Sequence, residues 1–354
     1  MLNIRALHVS WGKMQGVFLH RRVFTQMKKE TVTTNQITEG VIWKQLLLFF
    51  FPIVLGTFFQ QLYNTADTIV VGRFVSKEAL AAVGGSAAQI VGLIVGFFVG
   101  LASGASVIIS QFYGAKNRVQ LNRALHTAYA FSIIGSIFIT VLGILIAPWM
   151  LELMHTPQET MADALLYLRI YFAGIIFVFI YNVGSSILRA MGDSRRPLYY
   201  LIVCCILNIV LDIVLVIVFH MGVAGVSIAT IFSQGVSAVL ITRALMHSDD
   251  LYQLEFRKIR FHKSALISLI WVGCPTGIQS VLYSVTNMLI QTFLNNLGTD
   301  TVAAWSAFGK IDSLYWMVNN AFGIAVTTFV GQNFGAKLSG GYTQSDGGTQ
   351  NSDF

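Results

Sequence analysis

The sequence predicts an all-α polytopic membrane protein: a complete N-terminal six-helix lobe, then the first two helices of a parallel second lobe. Three observations carry this. Residues 45–66, 79–115, 127–151, 213–242 and 264–299 contain no Asp, Glu, Lys or Arg, and each run reaches the roughly 20 residues that cross about 30 Å of hydrocarbon. The loops between apolar runs are alternately basic and non-basic. A six-residue motif at Gln111 recurs at Gln332, an offset of 221. Composition agrees: 55% of the 354 residues are apolar, 11% are charged and the mean hydropathy is +0.67, against about 25% charged residues in a soluble domain.

In chain order, eight membrane helices are expected at about 43–66, 86–110, 124–149, 166–188, 198–219, 222–243, 265–294 and 304–331. Stretches such as Ile90–Phe98 do not alternate in polarity, which excludes the strands of an outer-membrane barrel. The segment before the first helix carries Arg21, Arg22, Lys28, Lys29 and Lys44 against Glu30 and Glu39. The second-to-third connection has Lys116, Arg118 and Arg123 with no acid, and the fourth-to-fifth has Arg189, Arg195 and Arg196 against Asp193. The sixth-to-seventh holds Arg243, Arg257, Lys258, Arg260 and Lys263 against three acids. The first-to-second loop is neutral, and the third-to-fourth has Glu152, Glu159 and Asp163 before Arg169. Basic loops stay in the cytoplasm, so the N-terminus is cytoplasmic. The formal charge of +7 is thus a topology signal, not a nucleic-acid footprint.

Pro148, Pro157 and Pro197 are expected at helix ends or in loops, where a missing N–H costs little. Gly92, Gly96, Gly100 and Gly104 repeat every four residues in the second helix. That stripe reads first as close helix packing and second as part of a substrate path. Cys204, Cys205 and Cys274 match no metal or disulfide spacing and read as apolar packing. No nucleophile elbow, HExxH or phosphate loop is present, so an enzyme is not expected.

Gln111-Phe112-Tyr113-Gly114-Ala115-Lys116 recurs as Gln332-Asn333-Phe334-Gly335-Ala336-Lys337. Leu62-Tyr63 recurs as Leu282-Tyr283, and Glu78–Val83 resembles Asp300–Trp305. Six helices separate the copies, so both point the same way, as in parallel repeats related by an axis along the membrane normal. The expected organisation is a cytoplasmic segment over 1–40, a six-helix lobe over 41–245 and a cytoplasmic linker over 246–263. A two-helix partial lobe over 264–338 and a polar tail over 339–354 follow. A full second repeat would bring the chain to about 440 residues, so an incomplete second lobe is the expectation, and Met27 makes a natural start.

Ionisable groups inside a membrane helix are functional candidates by default. Asp67 stands four residues after Tyr63 on one helical face, near the expected end of the first helix. It reads either as a carboxylate at the outer interface or as a functional group. Asp212 lies inside an otherwise uncharged helix, four residues after Asn208. Together these two side chains offer oxygens to a cation, unless Asp212 is a hydrogen-bonded core carboxylate. Lys310 and Asp312 sit in the eighth helix, where the lysine also reads as a snorkelling side chain. Phe58, Tyr63, Tyr181 and Trp316 are candidates to line a cavity that holds flat organic cations against aromatic faces.

From about Thr38 to Lys337 the chain resembles the multidrug and toxic compound extrusion (MATE) family. The resemblance rests on Pro52 through Tyr63, Ala66-Asp67-Thr68, Val71-Gly72-Arg73, Leu80–Gly84, Gln111–Ala115, Arg189–Asp193, Asn208–Asp212 and Gly222–Gly225, in that order. It implies two six-helix lobes around a central cavity, in a bacterial inner membrane. It implies export of small lipophilic or cationic organic compounds in exchange for Na⁺ or H⁺, without another cofactor, and a monomer as the full-length form. It also implies an N-lobe cation site, one able to hold Na⁺, at Tyr63, Asp67, Asn208, Asp212 and Thr230. Where part of the family has a glutamate in the seventh helix, this chain has Tyr283, which shifts expected coupling toward Asp67 and Asp212. Two further readings remain open: a transport-incompetent fragment that pairs with another polypeptide, and an exporter of lipid-linked precursors.

Overall fold

The computed structural model describes residue 37 and residues 42–248, 252–295 and 299–345, all helical or connecting. The helices are α1 (Ile42–Phe74), α2 (Lys77–Gly84), α3 (Ser86–Gly114), α4 (Arg118–Leu153), α5 (Gln158–Ala173) and α6 (Ile175–Ala190). They continue with α7 (Arg195–Asp212), α8 (Gly222–Met246), α9 (Lys263–Asn295) and α10 (Thr299–Ser345). A π-helical turn, Ile213–Val218, follows α7. The short α2 leads into α3, and α5 with α6 forms one crossing bent by 52° at Gly174. Six crossings thus make the first lobe, and α9 and α10 begin the second. Lipid-facing side chains such as Phe138, Leu145 and Trp271 are more than half exposed, as expected where hydrocarbon rather than water covers the surface.

Several boundaries differ from expectation. The first helix runs on to Phe74, so Asp67 lies about two turns, or roughly 10 Å, inside its end. Its buried residues Gly56, Tyr63, Asp67, Val70 and Val71 form one face, at the period of an α-helix. The helix expected to end at about residue 149 runs on to Leu153, so Pro148 lies within α4, five residues before its end. There α4 packs against α5 and α6 near buried Ala147 and Leu151. The last helix reaches Ser345 and takes in the start of the predicted polar tail.

The repeat is visible as packing. A Cβ added at Gly100 would stand 2.5 Å from Gly277 Cα, and one at Gly104 would stand 2.5 Å from Gly273 Cα. Backbones of α3 and α9 therefore cross with no side chain between them, the close approach that small residues every fourth position permit. Gly92 meets nothing within 4 Å. The symmetry-related seam joins α1 and α10 through Phe49, Ile53, Ala321, Ala325 and Phe329. Between the seams the two repeat motifs pack on each other. A Cβ on Gly114 would lie 2.7 Å from Gln332 Cα, and one on Gly335 would lie 2.8 Å from the Gln111 carbonyl carbon. Each glycine accepts the other copy's glutamine backbone, which is the reciprocity a two-fold axis requires. Gln332 is fully buried and its Nε2 donates to the Ala190 carbonyl at 2.7 Å, fixing the cytoplasmic end of α10 to the first lobe.

The linker after α8 is strapped to the first lobe. Leu254 N–H donates to Leu245 O at 3.0 Å, and Tyr252 packs edge-on against Tyr113 with ring centres 6.0 Å apart. Glu255 N–H donates to His126 Nε2, and His262 N–H to Thr127 Oγ1, each at 3.1 Å.

Candidate functional site

Asp67 on α1, Asn208 and Asp212 on α7, and Thr230 on α8 converge inside the first lobe. All four are buried, and Asn208 and Asp212 are fully enclosed. The reason is local in each helix. Tyr63 and Asp67 share the buried face of α1, Asn208 and Asp212 that of α7, and Thr230 and Gln234 that of α8. The three helices pack on one another, which aims the three polar pairs at one point. Directly after Asp212 the backbone widens into the π-helical turn, a feature that recurs at functional positions.

The hydrogen bonds run in one direction. Asn208 Nδ2 donates to Thr230 Oγ1 at 3.5 Å, and Thr230 Oγ1 donates to Asp67 Oδ2 at 3.1 Å. The Asp67 and Asp212 carboxyls are close neighbours. Donors then run out. Asp67 Oδ1, Asn208 Oδ1 and both Asp212 oxygens are buried with no donor among the described residues. No lysine or arginine compensates: the ion pairs among the described residues are Arg196–Asp193 and Lys258–Glu255, both at the surface. Two neighbouring buried carboxyl groups without a basic partner require a proton or a metal cation between them. Four oxygens that lack donors form a hard, oxygen-only set suited to Na⁺ or H⁺.

One turn deeper, Gln234 Nε2 donates to the Tyr63 hydroxyl at 3.2 Å. Tyr63 is thus part of the same polar core, although its hydroxyl pairs with Gln234 rather than with either carboxyl. Gln234 itself escaped the sequence reading. The available signal was its position four residues after Thr230 in the charge-free run 213–242, the same spacing that pairs Asn208 with Asp212.

The candidate cavity aromatics lie in separate parts of the structure, apart from Tyr283 and Trp316, which meet. Tyr181 is buried in the core of the first lobe, where its hydroxyl donates to Pro197 O at 3.1 Å. It is a packing residue that ties α6 to α7, not a cavity wall. Phe58 is 46% exposed and meets Phe59 edge-on. Tyr283 and Trp316 face each other edge-on across α9 and α10 with ring centres 5.5 Å apart, both exposed. Asp312 is half-buried on α10, and the Lys310 side chain lies outside the described residues.

The MatE family pattern matches residues 52–214 and 275–341. The chain is similar to the probable multidrug resistance protein YoeA of Bacillus subtilis, with 29% identity over 320 residues. That match covers 88% of this chain and 68% of the relative. It is also similar to the probable multidrug resistance protein YpnP of Bacillus subtilis, with 33% identity over 84% of this chain and 66% of the relative. The chain thus spans about two thirds of the length of these relatives. Among solved structures, a MOP superfamily transporter from Pyrococcus furiosus superposes with a TM-score of 0.80 at 26% identity. It is matched over 87% of this chain and 68% of its own. An outward-facing multidrug resistance MATE transporter superposes with a TM-score of 0.79 at 25% identity, over 89% of this chain and 71% of that one.

Proposed function

The chain belongs to the MatE family, and from that premise we propose that it forms the ion-coupling lobe, and part of the opposing lobe, of a secondary antiporter that exports organic compounds. Members of the family are membrane transporters, not enzymes, and the chain is a multi-pass protein of the bacterial inner membrane. In the proposed reading, Asp67, Asn208, Asp212 and Thr230 take up Na⁺ or H⁺ from outside, with Tyr63 and Gln234 bracing the site from below. Small lipophilic or cationic organic compounds leave in exchange.

The observation that carries this is the set of four donorless oxygens, three on the neighbouring buried carboxyls of Asp67 and Asp212 and one on the Asn208 amide. Without a cation or proton the pair is mutually repulsive, so the packing of α1 against α7 and α8 depends on occupancy. A ligand shifts a conformational equilibrium only as far as it binds one state better than the other. Here the occupied site favours tight packing of the three helices, and the emptied site favours their separation. Because α1 also forms the seam with α10, such a change reaches the boundary between the lobes. Export itself needs both walls of the cavity, so the proposal concerns this lobe working opposite a complete second one.

The test is counter-transport in proteoliposomes with imposed Na⁺ and pH gradients, using a transporter that contains this lobe and a full partner lobe. Asp212→Asn keeps the shape and removes the charge, and it should abolish gradient-driven export while insertion persists. Wild-type coupling in that variant would return Asp212 to the role of a core carboxyl.

A further inference from the structure

The cytoplasmic face carries a polar cleft of about 320 Å³ between the first turns of α4 and the strap that joins the two lobes. Arg123, His126, Lys258, Arg260 and His262 line it, with Glu255 as its acid. Glu255 is already committed, because its Oε1 accepts from Lys258 Nζ at 2.6 Å. His126 accepts the Glu255 N–H through Nε2, and its Nδ1 lies 2.7 Å from the Asn122 carbonyl. His262 accepts from Arg260 Nε through Nε2 at 3.3 Å. Desolvation, then the charges of Arg260, Arg123 and His126, hold the His262 imidazole below its ordinary value. Both guanidiniums therefore bear on one cleft. Among the described residues no carboxylate pairs with either, and neither α4 nor α9 has an acid in its first turn.

Two unbalanced guanidiniums at one opening are a receptor for an oxyanion, since their planar forks match paired phosphate oxygens. The strap itself indicates the source of that anion. It reads Phe256-Arg257-Lys258-Ile259-Arg260-Phe261-His262-Lys263, with Phe256 57% and Phe261 41% exposed, and Val119 on the opposite wall is 61% exposed. Apolar side chains interleaved with basic ones at a cytoplasmic membrane face are the pattern of headgroup-level binding. Exposed rings add nothing to capture of a free ion from water, but they do contact the glycerol and upper acyl chain of a lipid.

We propose that this cleft binds the phosphate of an anionic lipid of the cytoplasmic leaflet, held by Arg123 and Arg260. The bound lipid anchors the strap, and through it the start of α9, to the membrane surface.

The test equilibrates the purified full chain with vesicles of equal phosphatidylcholine and phosphatidylglycerol and reads retained lipid by native mass spectrometry. Wild type should retain phosphatidylglycerol preferentially. Arg123→Gln with Arg260→Gln should cut that preference roughly tenfold, whereas Arg195→Gln, at the cytoplasmic start of α7 and outside the cleft, should leave it intact. Arg123→Lys keeps the charge without the fork and should give an intermediate loss, which covers the case in which the double variant does not fold. Equal loss in the Arg195 variant would overturn the site in favour of diffuse leaflet attraction. Retention of inorganic phosphate that depends on Arg123, with no lipid preference, would overturn the lipid as its source.

Discussion

Gly114→Ala tests the reciprocal contact between the two repeat motifs. The added methyl would stand 2.7 Å from both the Cα and the carbonyl carbon of Gln332, where ordinary contact begins at 3.4 Å. The shortfall is at least about 0.7 Å against a backbone that has no rotamer with which to give way, and overpacking of this kind costs about 1–3 kcal/mol. The simplest relief is to part α3 from α10 at the cytoplasmic end. A penalty of that size shifts the balance between closed and parted lobes by roughly five- to 150-fold. Lys116→Cys and Lys337→Cys place spin labels at two exposed, motif-equivalent positions. Pulsed electron spin resonance should then show a longer-distance population in Gly114→Ala, and the same population in Gly335→Ala. Gly92→Ala on the same helix meets nothing within 4 Å and serves as the control. If Gly114→Ala gives the distance distribution of Gly92→Ala, the motifs do not close the lobes against each other.

A reporter fused after Ser248 should report the cytoplasm and one after Glu159 the outside; the same compartment for both would contradict the topology. Asn208→Leu removes the donor to Thr230 at 3.5 Å and one of the donorless oxygens, so Na⁺ affinity measured by radioligand binding should fall while the protonatable carboxyls remain. Gly192 holds φ +93°, and Gly192→Ala should cost about 1–2 kcal/mol in a thermal unfolding assay. Because His262 is held below its ordinary value, its contribution to stability is complete above the unfolded value of about 6.5 and declines as the pH falls toward the folded value. Hydrogen-exchange protection over residues 252–263, taken relative to the intrinsic rate at each pH, should accordingly fall on acidification through that window, and less so in His262→Gln.

Much of this was legible in the chain. Charge-free runs locate membrane helices because an ionised side chain in hydrocarbon is costly, and the repeated Gln-x-aromatic-Gly-Ala-Lys motif revealed the parallel lobes. Placing Asp67 at a helix end failed for a physical reason: the expectation treated its charge as a boundary, whereas Thr230 and the α7 residues give it a polar pocket inside the lobe. The 52° bend at Gly174 was not readable from hydropathy. It follows from packing, because a Cβ there would stand 2.8 Å from Ile231 Cγ1. Asn208 with Asp212 was readable from spacing alone, but their meeting with Asp67 depends on how α1, α7 and α8 cross. Tyr181 shows the limit for aromatics, since the sequence does not distinguish a ring that lines a cavity from one whose hydroxyl ties two helices together.

The most direct measurement is the protonation state of the paired carboxyls, read by difference infrared spectroscopy on purified protein. Lowering the pH should grow, beside the band of the surface carboxyls, a buried protonated-carboxyl component that Asp212→Asn and Asp67→Asn each diminish and the double variant lacks, with the backbone bands unchanged. A buried component undiminished in the double variant would contradict a shared cation site at Asp67 and Asp212.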